Sequence, residues 1–155
     1  MKNYLCCLLF LAPIYVCFGQ AYNFYFGNIH AHSGYSDGNK DSLTSGMYTP
    51  YQDFLYANES EQIDFYGISE HNHSAAGMAS KQNYYNGIAD AELATIEDTF
   101  IALYGMEWGI ISQGGHVLIY GYDSLIGWEN NLYDEYVQPT DFHGLWNVIN
   151  SKPNC

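Results

Sequence analysis

The stretch GNIHAHSGYSDG, residues 27–38, sets His30 and His32 two positions apart and follows them with Asp37 in a Ser-Asp-Gly turn. In a strand, successive side chains point to opposite faces. His30 and His32 therefore share one face, and Ile29 and Ala31 share the other. Two imidazoles on one face at a strand end can hold one metal ion, and the turn can fold Asp37 back toward them. A second group, ISEHNH, spans residues 68–73 and follows the apolar Phe65 and Tyr66. It puts His71 at the C-terminal end of a strand, where α/β active sites collect, with Glu70 and His73 beside it. In a third group, Glu107 closes the apolar run FIALYGM and His116 opens the next apolar run. A carboxylate there is not a packing residue, because burying an unpaired charge is costly. Gly109, Gly114 and Gly115 allow a hairpin-like return that brings His116 near Glu107.

Each pattern alone is also the pattern of surface or core histidines and of polar strand-to-loop junctions. Three in order at strand ends point to a metal site with His30, His32, Asp37, His71, Glu107 and His116 as candidate ligands. Nitrogen and oxygen donors without thiolate favour Zn, Mn or Fe over Cu(I) or an iron–sulfur cluster. Glu70 and His73 are the candidates to donate a proton or orient water.

These residues need a scaffold that brings distant strand ends together. Candidate strands are 23–32, 64–70, 100–106 and 116–121. Thr49, Pro50 and Gln52 spell a capped helix start, with Tyr51, Phe54 and Leu55 as its apolar stripe. A second helix is predicted at about 78–98, interrupted by Gly87, and a third at about 142–151. Asp141-Phe142-His143 opens the third, where Asp141 reads as a cap. Strand–helix–strand–helix–strand order predicts an α/β fold with a mainly parallel sheet or barrel.

The chain has 155 residues, enough for one domain. Residues 1–19 have the layout of a secretory signal peptide: Lys2, an apolar run, then Gly19 before the cleavage point. The alternative is a retained N-terminal membrane anchor. Cys6, Cys7 and Cys17 fall in this leader, so the mature part, 20–155, keeps Cys155 alone and has no internal disulfide framework. Asn58-Glu59-Ser60 and Asn72-His73-Ser74 are formal glycosylation sequons. After the third helix the chain reads SKPNC with no following strand, so the sequence is expected to be a C-terminally truncated fragment. The formal net charge is -13, with 17 acids. That excludes nucleic-acid backbones and anionic membrane surfaces as main partners, and an anionic substrate needs metal to offset repulsion.

The three motifs together resemble the PHP family, named for polymerase and histidinol phosphatase domains. HAHSGYSDG is similar to its first motif, GISEHN to its second, and GMEWG with GGHVLIYG to its third, over residues 23–121. The resemblance implies a distorted seven-stranded β/α barrel, of which this chain holds the N-terminal part, with two or three divalent metals in the full-length protein. It places His30 and His32 on a first metal, Glu107 as the bridge to a second, His116 on that second, and Asp37 and His71 on a third. The family's usual acid before His71 is Asp, and here it is Glu70. The family's later His-Pro has no counterpart before Cys155, and Asp141-Phe142-His143 spells its terminal Asp-x-His with no His-Pro before it. The implied activity is that of a secreted or periplasmic metal-dependent phosphoesterase acting on a small-molecule ester through metal-activated water. The alternatives are a carboxylic ester or carbamate hydrolase on the same fold, and an inactive or metal-binding truncated domain.

Overall fold

A computed structural model of the chain describes residues 22–38, 45–61, 63–73, 78, 80–129 and 132–152. The leader at 1–19, Ser74 and Cys155 lie outside the described residues. The described part is mixed α/β, a curled four-stranded half-barrel sheet with three helices. The sheet runs β1 (Gly27–Asn28), β2 (Phe65–His71), β3 (Ile101–Ile110) and β4 (Gly115–Tyr120), in that spatial order. β1–β2 and β2–β3 pair in parallel, and β3–β4 pair antiparallel. A second, two-stranded sheet joins β5 (Ile126–Gly127) to β6 (Glu135–Tyr136).

Helix α1 (Pro50–Tyr56) starts as the sequence predicts. Thr49 accepts from the Gln52 N–H, and the Gln52 side chain accepts from the Thr49 N–H, which closes a capping box. A π-helical turn, Ala57–Glu61, extends it. Helix α2 is Lys81–Ala94, capped by Ser80. Gly87 lies inside it because the helix packs flat on the Tyr104 ring of β3, where a Cβ would collide. Helix α3 is Phe142–Asn150, and Asp141 caps it by accepting from the Gly144 N–H at 2.8 Å. The core between helices and sheet is built on Phe54, Ile68, Tyr84, Phe100, Met106 and Trp108, with Tyr122, Leu125 and Ile126. Burying each of these large side chains contributes roughly 1.5–3 kcal/mol.

Two strands differ from their predicted spans. The first, predicted over 23–32, is a ladder of two residues. Among the described residues it pairs with β2 alone, at the sheet edge, and Asp64 Oδ2 takes the Phe26 N–H. Parallel alignment resumes where Ser69 N–H donates to the Ala31 carbonyl at 2.9 Å. The third strand runs on to Ile110 because β4 folds back onto it through the Ile111–Gln113 turn. Gly114, at φ 118, supplies the left-handed backbone that this reversal needs.

Candidate metal centre

Strand register decides which side chains meet. His71 on β2 is the direct partner of Glu107 on β3. Parallel partners at one level share a face, so both project from the same side at the C-terminal end of the parallel β2–β3 ladder. Gly109, two residues after Glu107, is paired with His116 on β4, which puts His116 on that face too. The hairpin expected from the glycines is the element that delivers it. His30 and His32 reach the same place from the segment that follows β1.

Glu107 is the hub of the arrangement, at 3% exposure. Its Oε1 lies 3.4 Å from His30 Nε2 and in close contact with His116 Nδ1. Its Oε2 lies 3.3 Å from His32 Nε2 and 3.1 Å from His71 Nδ1. Asp37 stands on the far side of His32 and His71, with its oxygens 3.9 Å from His32 Nδ1 and 3.8 Å from His71 Nε2. Three groups emerge: His30–His32–Glu107, His32–Asp37–His71 and His71–Glu107–His116. In each, one donor atom per residue lies within 4.8 Å of the others. The structure thus brings together all six residues picked as candidate ligands.

The donor set fits divalent ions. His71 Nδ1 and Glu107 Oε2 are buried and make no hydrogen bond, although they lie 3.1 Å apart. Left unmatched, they are costly, and a cation satisfies both. One of the imidazoles, His32, is biased toward the neutral form. Burial, then the neighbouring His71, pull His32 below the usual histidine value, against the opposing pull of Glu107 and Asp37. A neutral ring keeps a lone pair for a metal.

The two other picked residues are placed differently. Glu70 precedes His71 by one position, so it projects from the opposite face of the sheet. It is fully buried. The Ser33 N–H donates to its Oε1 at 3.1 Å, and the Ser33 and Ser36 hydroxyls each donate to one of its oxygens. Burial pushes Glu70 up to about 7, with those hydrogen bonds opposing. His73 lies at the rim, its ring 5.3 Å from that of His71 and stacked 6.2 Å from Trp128. Burial, then His71 and His116, lower it.

Sequence reasoning passed over the supporting residues. Asn72 is fully buried and donates to the Ile126 carbonyl at 2.7 Å, while the Tyr133 hydroxyl donates to the Asn72 carbonyl. This ties the end of β2 to β5 and leaves no room for a glycan on the second sequon. Trp128 stacks on Tyr133 and on His73, forming an aromatic wall beside the centre. Ser33 and Ser36 stand in HSGYSDG, but nothing in that spacing points to Glu70 as their partner. No helix among the described residues is long and apolar enough to cross a membrane. Comparisons with family models, with curated proteins and with solved structures return no match for this chain.

Proposed function

We propose that the chain is a secreted metal-dependent hydrolase whose substrates are phosphoesters. The observation that carries the reading is one buried carboxylate, Glu107, approached by four imidazoles, two of which also face Asp37. Structural histidines are usually satisfied by hydrogen bonds, whereas here the buried His71 Nδ1 and Glu107 Oε2 lie 3.1 Å apart without one. His30, His32 and Glu107 would hold one ion, His71, Glu107 and His116 a second, and Asp37 with His32 and His71 a third. Zn, Mn and Fe suit these donors. A bound divalent ion lowers the pKa of water toward neutrality and offsets the charge of a phosphoryl group.

The residues of the chain do the rest. Glu107 fixes the rings of β2, β4 and the His30–His32 segment about one point. Its burial excludes solvent from one side of that point. His73, at the rim and held below its usual value, is neutral near pH 7 and can accept a proton from water or pass one to a leaving group. The resemblance of the three motifs to the PHP family supports the same reading. So does the curled half-barrel, with candidate ligands at the C-terminal ends of its parallel strands.

The test is a paired assay of the full chain supplied with Mn²⁺ or Zn²⁺, on p-nitrophenyl phosphate and p-nitrophenyl acetate. Metal-dependent release from the phosphate is the expected result. Turnover of the acetate alone would move the reading to carboxyl esters. Bound metal without turnover of either would reduce it to a metal-binding domain.

A further inference from the structure

Glu70 has the residue type and the location of a catalytic acid, yet no path to a substrate. It is fully buried, and it leaves the sheet on the face opposite His71. Its partners all come from the turn that carries Asp37. Ser33 gives its backbone N–H and its hydroxyl to the carboxylate, and Ser36 gives its hydroxyl. The same turn is closed internally. Ser33 Oγ accepts from the Tyr35 N–H at 3.1 Å, and the Ser33 carbonyl accepts from the Ser36 and Gly38 N–H groups at 3.2 and 3.0 Å. Ser36 Oγ also lies 3.5 Å from His32 Nδ1.

We infer that Glu70 is a positioning residue, a buried clamp that ties the Ser33–Gly38 turn to the end of β2 and thereby sets Asp37 against His32 and His71. The inference rests on the proposed metal centre for its functional consequence, but the clamp is a property of the metal-free chain. Three donors converge on one carboxylate from a six-residue turn, so losing the carboxylate frees the whole turn rather than one contact. Second-layer partners of this kind typically change metal affinity by about 10- to 100-fold when lost. The loss should fall on the group that contains Asp37 and spare His71–Glu107–His116, which β2, β3 and β4 hold by their own register.

The experiment uses the full chain and its Glu70→Gln and Ser36→Ala variants. Backbone hydrogen exchange of the 31–38 segment is read first, without metal. The account expects slow exchange at Ser33 and Gly38 in the wild type, and faster exchange there in Glu70→Gln with the rest of the sheet unchanged. Co²⁺ binding and its visible spectrum are read second. Glu70→Gln should weaken one class of site by about 10- to 100-fold and leave a tighter class with its wild-type spectrum. Ser36→Ala should weaken the same class by less, and Ser36→Thr should restore it. Equal exchange in wild type and Glu70→Gln would overturn the clamp even if metal binds. So would Glu70→Gln with every site intact and turnover lost, since that marks a group acting on substrate. A wild type that binds no Co²⁺ yet shows the exchange difference would overturn the metal centre and keep the clamp. If Glu70→Gln does not fold, Ser36→Ala with unchanged exchange and unchanged Co²⁺ affinity would overturn the clamp by itself.

Discussion

Glu70 and Glu107 sit near the ends of neighbouring parallel strands, and both are buried, at 0% and 3% exposure. Their surroundings differ in kind. Glu70 is met by hydroxyls and an amide, all donors, so its oxygens are fully used within the protein. Glu107 is met by four imidazoles, which donate or accept according to their protonation, and one of its oxygens makes no hydrogen bond. The first arrangement is complete in the protein alone. The second leaves a buried oxygen that a cation would satisfy. Burial therefore does not separate the two acids, whereas the identity of their neighbours does.

The sharpest way to break this comparison is at Glu107. Glu107→Gln keeps the shape and removes the charge, and should weaken divalent metal retention by at least about 100-fold, with metal-dependent hydrolysis falling in parallel. Metal analysis of the purified variant beside the wild type checks it. Chelation comes next. If only the folded chain binds the ion, adding metal at 100 times its Kd stabilises the wild type by about 2.7 kcal/mol over the EDTA-treated protein. Urea unfolding should show that difference in the wild type and at most about 0.4 kcal/mol in Glu107→Gln. At Glu70 the effect should appear without metal. Ser33→Ala removes a hydroxyl from a buried carboxylate and should cost about 2 kcal/mol in urea unfolding of the EDTA-treated chain.

Asp53 in α1 sharpens the contrast from the other side. Burial alone raises it, to about 6. A carboxyl with a raised folded pKa binds more protons folded than unfolded. Its contribution is full below about pH 4 and is lost as pH rises through about 6. Asp53→Asn should thus stabilise the chain at pH 7.5 by on the order of 1 kcal/mol, after allowance for solvent screening. At pH 3.5 the urea midpoints of variant and wild type should converge.

What the sequence revealed follows the same division. The convergence of His30, His32, Asp37, His71, Glu107 and His116 was legible because these residue types recur near strand ends and alternation assigns their face. The capping box at Thr49 and Gln52 was legible because both partners lie within one helical turn. The partners of Glu70 were not, since Ser33 and Ser36 lie 37 and 34 residues away. Glu70 beside His71 reads as catalytic until the pleat sends it to the other face. Nor was the shortness of β1 legible, because an apolar run does not say that Asp64 will take the Phe26 N–H. The aromatic wall of Trp128 and Tyr133 was hidden for the same reason, since it meets His73 only through the fold.

The most direct test of the central claim is equilibrium dialysis of the full chain and Glu107→Gln against Zn²⁺ or Mn²⁺, with metal counted by elemental analysis. The account predicts at least one divalent ion retained per wild-type chain and its loss from the variant. A wild type that retains none, or a variant that binds as the wild type does, would contradict it.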